Sequence, residues 1–368
     1  MDNRGIIVVK VGTSTLSDSA GRLDASYIEN LTGQVCQLLK LGYKVILISS
    51  GAIGAGMEVL GLSQRPKNIN ELQACSAIGQ GRLMKLYEEN FYKRGTHTAQ
   101  ILITRDDLGN RERCIKAHRT IMTIIYKFNA VPVINENDTV ATEEIKYTDN
   151  DTIAHIVASL VGAHTLIILT DVDGVYSSGS NKVIPFFTAI ATDDIKKMIN
   201  SSKNRLGSGG MLNKAIVAAN LAKLMGITCI IANGRRENIL LDIEKRQYVG
   251  TAFLPSSRAR AQQKKSWLAF APKSKGSIKV DDGAKAALIK ANKSLLAAGI
   301  KTISGDFDAG DVVSIANLAG EEFAKGVVNF SSKELSIIKG LKTAQIEQAL
   351  RRKISRDEVV HRDNLVII

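Results

Sequence analysis

The sequence predicts an α/β fold in which an open, mainly parallel sheet is sandwiched by helices, followed by a small β-rich domain. In the first 255 residues, short β-branched runs alternate with longer segments whose apolar residues recur at helical spacing. This alternation is typical of parallel sheets that carry helices on both faces. After Pro255 the chain turns polar and basic and then continues in short β-like runs. We therefore predict a first domain at 1–255, a basic linker at 256–265, and a β-rich domain with a C-terminal tail at 266–368.

The predicted strands and helices of the first domain follow one another in regular order. Strands are predicted at 5–12, 44–49, 97–104, 130–135, 164–170 and 227–232. Helices are predicted at about 28–39, 69–94, from 110 onward, 151–161 and 213–225. In the β-rich domain we predict strands at 267–271, 277–280 and 312–316, one helix at about 283–290, and an end near Ser331. Ligands of parallel sheets bind beyond the carboxyl ends of the strands, which here means residues 12–14, 49–51, 135–138 and 170–171.

Composition narrows the class of protein. Of the 368 residues, 45% are hydrophobic and 23% are charged, as in an ordinary globular chain. No apolar run reaches the ~18 residues that a membrane helix needs, and Lys10 interrupts the first apolar stretch, unlike a signal peptide. We therefore expect a cytoplasmic protein without membrane segments. The four cysteines lie far apart, which predicts neither a zinc site nor a disulfide framework.

Positive charge is concentrated towards the C-terminus. Residues 1–255 carry 29 Lys and Arg against 24 Asp and Glu, whereas residues 256–368 carry 20 against 12. The net charges are therefore +5 and +8. A basic domain of this kind indicates either a nucleic-acid surface or a solvated basic face.

Glycine-containing turns follow the first two predicted strands. Lys10 ends the first strand and is followed by Gly12 and two hydroxyl residues, which suits a phosphate held by a cation and backbone amides. A lysine that reaches solvent from a strand end would look the same. After the second strand, Ser50 and Gly51 suit either an anion or a simple helix N-cap.

Two short runs are dense in amides and carboxylates. Asn135–Asp138 follows the fourth strand, and Asp149–Asp151 opens a helix. Such groups hold ammonium ions, orient lysines or bind Mg²⁺ through oxygen. Asn and Asp are also favoured in loops and caps for conformational reasons, but two dense runs favour function.

The last two motifs lie further along the chain. Thr170 and Asp171 end the fifth strand and precede an Asp-Gly turn, which alone is a weak signal. Gly207–Met211 precedes a predicted helix, with Lys214 three residues on, and free amides at a helix start favour an anion.

The sequence lacks a Walker A loop, a dinucleotide-binding glycine motif after its first strand and protein-kinase motifs. Two lysines, two glycine turns and an Asn/Asp cluster together predict phosphoryl transfer.

Taken in order, these segments resemble the amino-acid kinase family, and within it the members that phosphorylate the side chain of L-glutamate. The resemblance lies in K-V-G-T-S (10–14), S-S-G-A (49–52), V-P-V-I-N-E-N-D (131–138), E-I-K-x-x-D-N-D (144–151), L-T-D-V-D-G-V-Y (169–176) and G-S-G-G-M (207–211). The run from Val131 to Asp151 discriminates best. The C-terminal part resembles the PUA module, which binds RNA in other proteins.

The resemblance implies a role for each matching residue. Lys10 and Lys214 would stabilise charge on the transferring phosphoryl group, and Asp151 would orient both lysines. The residues implied for glutamate are Ser50, Asp138 and Asn150. The residues implied for ATP are Lys10, Gly12, Thr170, Asp171, Ser208, Gly209, Gly210, Met211, Leu212, Asn213 and Lys214. Metal-contacting carboxylates are not assigned.

The resemblance also implies cofactors and partners. It implies ATP with Mg²⁺, feedback inhibition by proline, a dimer or tetramer, and an unstable acyl phosphate that glutamate-5-semialdehyde dehydrogenase consumes. Two departures concern the geometry of the site: Thr148 stands where the family often has glycine, and Asn213 where it often has threonine.

Two alternatives compete with this interpretation. A related kinase could act on aspartate, N-acetylglutamate, carbamate or UMP, and the run 131–151 argues against it. An RNA-binding protein is the other alternative, suggested by the basic C-terminal part. Its aromatic residues are sparse and predicted to lie in the core rather than on a stacking surface, which argues against RNA as the main partner. They are Trp267, Phe270, Phe307, Phe323 and Phe330.

Overall fold

The computed structural model describes most of the chain in two compact units. One unit comprises residues 1–104 and 118–263, and the other comprises 105–117 and 264–368. The described residues are 4–18, 21–140, 150–177, 182–188, 195, 198, 208–247, 249–256, 274–291, 293–352, 354 and 357–368. Among them, no helix combines the length and the apolar character needed to cross a membrane.

An eight-stranded sheet organises the first unit. Its strands in chain order are β1 (Ile6–Val11), β2 (Lys44–Ser49), β3 (Thr98–Ile103), β4 (Val131–Glu136), β5 (Thr165–Thr170), β6 (Phe186–Thr188), β7 (Thr228–Asn233) and β8 (Thr251–Leu254). Their order across the sheet is β3-β4-β2-β1-β5-β7-β8-β6. All neighbours are parallel except β7 and β8. The predicted mainly parallel sheet is therefore confirmed.

Helices connect these strands. They are α1 (Thr13–Leu16), α2 (Ala25–Lys40), α3 (Ala52–Val59), α4 (Ile69–Tyr92), α5 (Arg105–Gly109), α6 (Arg111–Tyr126), α7 (Asn150–Leu160), α8 (Ser208–Met225) and α9 (Ile239–Glu244). The prediction missed β6 and β8 at one edge of the sheet. Both strands have only three or four residues, too few for a hydrophobic period to show.

The two faces of the sheet explain how side chains reach the site. Successive strand residues point to opposite faces. In β1, Val9 and Val11 belong to the core packed with α2 and α4. Lys10 therefore points to the opposite face, where α7 contacts β1.

A close crossing of two helices lies beside the site. A Cβ at Gly56 of α3 would lie 1.8 Å from the Cys75 carbonyl oxygen, and one at Gly79 of α4 would lie 1.9 Å from that of Ala52. Gly51, before α3, has φ of +101°, a backbone conformation that glycine tolerates best. These glycines allow α3 to start tightly after β2 and to contact α4 backbone to backbone.

The second unit has its own core and sheet. Its strands are β9 (Gly276–Val280), β10 (Leu295–Leu296), β11 (Ile300–Gly305), β12 (Val312–Ala316), β13 (Glu322–Val327), β14 (Glu358–Val360) and β15 (Leu365–Ile367), with helices α10 (Asp282–Ala291), α11 (Ser332–Ile338) and α12 (Ile346–Leu350). Five strands form a mixed sheet in the order β11-β9-β12-β13-β15. This agrees with the predicted small β-rich domain.

Two expectations for this unit need correction. We predicted a single helix and an end near Ser331, whereas two further helices follow and β15 pairs with β13. The later elements span three to seven residues each, so their periodicity is weak. Phe307, Phe323 and Phe330 are buried, which confirms them as core residues. Trp267, Phe270 and the predicted strand at 267–271 lie outside the described residues.

Candidate active site

Three charged side chains from distant segments meet on the α7 face of the sheet. Lys10 Nζ lies 2.6 Å from Asp151 Oδ1, and Lys214 Nζ lies 3.4 Å from Asp151 Oδ2. The side chains of Lys10 and Asp151 are only 7% and 3% exposed, and that of Lys214 is 24% exposed. One carboxylate thus holds two cations, which leaves a net positive charge of one. A buried cluster with excess positive charge favours an anionic ligand.

Local structure explains this arrangement. Asp151 is in the first turn of α7, where a carboxylate is stabilised by the helix dipole. The Lys10 side chain points to the same face of the sheet, and α8 contacts α7. The family resemblance implied that Asp151 orients both lysines, and the structure places the three side chains together.

Asn150 is fixed by the strand ends beside it. Its Nδ2 lies within hydrogen-bond distance of Ser49 O (3.1 Å), Ser50 Oγ (2.8 Å) and Asn135 Oδ1 (3.1 Å). These contacts set the orientation of the amide. Its Oδ1 is buried and has no hydrogen-bond partner among the described residues, so an acceptor remains available for a ligand.

Helix α4 supports the same strand ends from the other face. Gln80 Oε1 accepts a hydrogen bond from Asn135 Nδ2 at 2.8 Å. Tyr87 and Ser49 share a hydroxyl hydrogen bond of 3.0 Å, and burial raises the pKa of Tyr87 to about 12. Ser76 Oγ donates to Asp138 Oδ2 at 2.5 Å. The three α4 side chains follow helical spacing and therefore share one face.

Asp138 is a partly buried carboxylate. Burial raises its pKa, while the hydrogen bond from Ser76 and the nearby Arg65 charge oppose that rise. Burial destabilises the charged form of this carboxylate, and a nearby cation stabilises it. Asp138 therefore suits a ligand ammonium group.

A pocket joins these groups. It is lined by Thr13, Ser50, Gly51, Ala52, Ile53, Gly54, Arg65, Asn135, Glu136, Asp138 and Asn150. All three residues implied for glutamate line it. Residues that follow β2, end β4 and begin α3 and α7 thus surround one space at the carboxyl ends of the strands, where ligands of such sheets bind.

The other strand ends hold the residues implied for the nucleotide. Thr170 ends β5 and its Oγ1 donates to Asp171 Oδ1 at 3.0 Å, while Asp171 itself is exposed. Gly12 follows β1, and its N–H donates to Leu169 O at 3.3 Å, so this amide already has an acceptor. A Cβ on Gly12 would lie 3.8 Å from Lys10 Nζ. This is an ordinary contact distance, and the φ of −75° at Gly12 is one that any residue adopts, so neither space nor backbone conformation requires glycine here.

The glycine-rich segment before Lys214 differs from the prediction. We predicted that Gly207–Met211 precedes a helix starting at Asn213, but α8 begins at Ser208. Gly209 and Gly210 are thus in the first helical turn, and Lys214 is in the second. The helix was predicted to start later because glycine has a low helix propensity, and three glycines lie at 207–210. The change keeps the expected chemistry, since the first four amides of a helix have no intrahelical acceptor.

Some predicted features lie outside the described residues. Thr148, Asp149 and Gly207 belong to this group. For Ser208, Gly209 and Gly210 the structure describes the backbone only. Met211, Leu212 and Asn213 lie in α8 between the helix start and Lys214.

Two residues that the sequence did not single out lie beside the lysine cluster or hold the segment that follows Lys10. His155 lies one turn after Asp151, is buried, and its pKa is lowered to about 4 by burial, which the Asp151 charge partly opposes. Its Nε2 has no hydrogen-bond partner in the described part of the chain. Arg235, after β7, pairs with Asp24 Oδ2 at 2.6 Å and donates to Ser17 O, which ties down the segment that follows Lys10.

The supporting residues left only a weak sequence signal. Ser76 and Gln80 interrupt the apolar stripe of α4, and polar residues at core-facing positions are unusual unless they have partners. Arg65 and Arg235 lie in segments without periodicity, so nothing in the sequence placed them near the site.

Comparisons with known proteins follow the same division of the chain. A model described as the amino acid kinase family matches residues 5–233, and a PUA domain model matches residues 276–350. Among curated relatives, glutamate 5-kinase of Caldanaerobacter subterraneus subsp. tengcongensis is 46% identical over 98% of this chain and 97% of its own length. Glutamate 5-kinase of Moorella thermoacetica is 42% identical over 98% and 96%. Carbamate kinase from Giardia lamblia bound to AMP-PNP is 17% identical, with a TM-score of 0.49 over 68% of this chain and 99% of that chain.

Proposed function

Because the chain belongs to the amino acid kinase family, we propose that it acts as a glutamate 5-kinase. The reaction transfers the γ-phosphoryl group of ATP to the side-chain carboxylate of L-glutamate and gives glutamyl 5-phosphate, the first step of proline biosynthesis. The observation that carries the proposal is the buried Lys10–Asp151–Lys214 cluster close to the pocket that holds Asp138 and Asn150. Curated relatives at 40–46% identity bear the same activity in their names.

The chemistry needs no general base. A glutamate side chain has a pKa near ~4.3 and is already ionised at neutral pH. The barrier lies in bringing two anions together, so charge stabilisation and positioning dominate. Lys10 and Lys214 provide the positive charge, and Asp151 holds both lysines in place. No proton-accepting histidine is required.

Glutamate would bind in the pocket that Ser50, Asp138 and Asn150 line. Asp138 would pair with the substrate ammonium, and the free Oδ1 of Asn150 would accept a second hydrogen bond from it. Ser50 Oγ is held by Asn150 Nδ2 at 2.8 Å and would donate to a substrate oxygen. These contacts would turn the side-chain carboxylate towards the lysines.

ATP would lie along the strand ends and the start of α8. The backbone amides of Ser208–Met211 would bind phosphate, with Gly12, Leu212 and Asn213 close by, and Thr170 and Asp171 would contact the nucleotide. Mg²⁺ suits this site as an ion carried by the ATP phosphates, which neutralises their charge. The described residues contain no group of three or more His, Cys, Asp or Glu that could hold a metal without the nucleotide.

Turnover across a panel of acceptors tests the function. ATP and Mg²⁺ would be supplied with glutamate, aspartate, N-acetylglutamate or UMP, and ADP would be measured beside hydroxamate trapped from any acyl phosphate. We expect hydroxamate with glutamate alone, and none from a Lys10→Met variant prepared in the same way. ADP formation with another acceptor would transfer the proposal to that substrate. Equal turnover by Lys10→Met would contradict the role of the cluster.

Further properties are proposed on the family resemblance. We propose that residues 1–255 form the kinase domain and 266–368 the PUA-like domain with its tail, and that the chain is a cytoplasmic dimer or tetramer. Proline would inhibit it, and glutamate-5-semialdehyde dehydrogenase would consume the product. Loss of hydroxamate on adding proline, and the mass of the chain in solution, test two of these statements. RNA is not proposed as the main partner.

A further inference from the structure

Arg65 is the one basic side chain among the described residues that line the pocket. It lies between α3 and α4 and is exposed. The other charged lining residues, Glu136 and Asp138, are acidic. Arg65 belongs neither to the lysine cluster nor to the hydrogen bonds of α4.

Arg65 and Asp138 lie near each other. Both line the same pocket, and the pKa of Asp138, which burial raises, is lowered in part by the hydrogen bond from Ser76 and by the Arg65 charge. Ser76 fixes Asp138 by a 2.5 Å hydrogen bond. A carboxylate held in place and an arginine at the rim therefore present opposite charges to the same part of the pocket.

An α-amino acid has the complementary pattern. Its ammonium and α-carboxylate are bonded to the same carbon, so a receptor must present an anion and a cation side by side. The reacting carboxylate is at the other end of the molecule and must reach the phosphoryl donor. Guanidinium binds carboxylate through two parallel hydrogen bonds, which suits Arg65 better than a single-point cation.

We propose that Arg65 binds the α-carboxylate of the acceptor while Asp138 binds its ammonium group, so that the two side chains select an α-amino acid. The inference rests on the proposed function and adds a residue that determines specificity. Arg65 touches the non-reacting end of the substrate and takes no part in phosphoryl transfer.

Two glutamate analogues separate the two contacts. 4-Aminobutyrate lacks the α-carboxylate, and glutarate lacks the ammonium group. In wild-type protein both should be poorer acceptors than glutamate. In Arg65→Met, kcat/KM for glutamate should decrease on the order of 10- to 100-fold, because a charged hydrogen-bonded contact is lost. The preference for glutamate over 4-aminobutyrate should largely disappear, whereas the preference over glutarate should remain.

Lys67→Met is the matched control. Lys67 is exposed, lies in the same segment and carries the same charge, but does not line the pocket. It should keep the wild-type preference, which separates a direct contact from a general loss of positive charge. Arg65→Lys should recover part of the preference, and the KM for ATP should stay unchanged in all three variants. Where an analogue is not turned over, its inhibition constant against glutamate gives the same comparison.

The outcomes distinguish this inference from the proposed function. Wild-type protein that phosphorylates none of the carboxylate acceptors would overturn the function itself. The role of Arg65 alone would be overturned by a different result. In that case the wild-type protein phosphorylates glutamate, and Arg65→Met prefers glutamate over 4-aminobutyrate as strongly as the wild type does. The α-carboxylate would then bind to other groups of the pocket, such as the backbone amides at the start of α3.

Discussion

Asp151 connects the two lysines on which phosphoryl transfer would depend. Each of its carboxylate oxygens faces one lysine nitrogen, at 2.6 and 3.4 Å. Since Lys10 is buried, its charge has no solvent to stabilise it and depends on this carboxylate. The residue therefore contributes both to the folded state and to the geometry of the cations.

Replacing Asp151 by Asn keeps the side-chain shape and removes the charge. We expect kcat for glutamate phosphorylation to decrease on the order of 100- to 1000-fold, because both lysines lose the group that positions them. Stability should also decrease by about 3–5 kcal/mol, the cost of breaking a buried ion pair. Steady-state kinetics and urea unfolding measure the two effects.

Asp242→Asn is the control for Asp151→Asn. Asp242 forms a more exposed ion pair with Arg236 Nε at 3.4 Å, away from the pocket. Pairs of this kind contribute little to stability, so both kcat and unfolding should stay near wild-type values. A kcat for Asp151→Asn within twofold of wild type would contradict the assigned role.

His155 predicts a dependence of stability on pH. Its pKa of about 4 in the folded protein is below the ordinary value of 6.5. The unfolded chain therefore binds a proton between pH 6.5 and 4 that the folded chain does not bind. The stabilising effect is complete above pH 6.5 and is lost as pH decreases towards 4, by roughly 2 kcal/mol between pH 7.5 and 5.

The variant His155→Ala removes this titration. Its free energy of unfolding should change by roughly 2 kcal/mol less than that of wild type between pH 7.5 and 5, whatever its absolute stability. Urea unfolding at the two pH values gives the difference. Equal changes in both proteins would mean that His155 is protonated in the folded state.

Residues differ in how well the sequence revealed them. Lys10, Asp151 and Lys214 were singled out because the sequence placed them at a strand end, at a helix start and after a glycine-rich run, while their shared role was implied by the family resemblance. Ser76 and Gln80 were not predicted, since a polar residue in an amphipathic helix gives no indication of its partner. Those partners come from strand ends more than fifty residues away, a distance that only folding closes.

At the scale of elements, the crossing of α3 and α4 holds one wall of the pocket. Ala52 and Ile53, at the start of α3, line the pocket. A Cβ at Gly79 would lie 1.9 Å from the Ala52 carbonyl oxygen and 2.2 Å from the Gly56 nitrogen. Both atoms are backbone, so neither can rotate away.

Gly79→Ala should therefore separate the two helices. We expect a loss of about 1–3 kcal/mol or more in stability, and a higher KM for glutamate because the start of α3 moves. Gly81→Ala is the matched control on the same helix, since a Cβ there meets open space. It should stabilise the protein by about 0.5–1 kcal/mol through helix propensity.

The two glycine variants are compared by thermal unfolding and glutamate kinetics. A Gly79→Ala protein with wild-type stability would show that α3 and α4 can separate without cost. The sequence alone could not distinguish these glycines, because both lie in one predicted helix and differ only in what faces them. The same limit applies to α8, where glycines that suggested a loop are part of a helix.

At the scale of the whole molecule, the two units have separate hydrophobic cores. The core around β1 and β2 contains residues of the first unit only, and the core around β9 and β12 contains residues of the second. The sequence predicts a domain boundary at the basic linker 256–265, whereas the second unit also includes residues 105–117. It did not predict the exact extent of the second unit, which depends on short elements near the C-terminus.

Because the groups implied in catalysis lie in the first unit, damage to the second core should leave phosphoryl transfer intact. Phe330 is buried in that core, and Phe330→Ala should cost about 3–5 kcal/mol in the stability of the second unit. Ile337→Ala, at an exposed position of the same unit, should cost little. Calorimetry should show a lower transition temperature for one unit in Phe330→Ala, with kcat and KM for glutamate unchanged below that transition. A parallel loss of activity would mean that the basic C-terminal unit takes part in the kinase reaction.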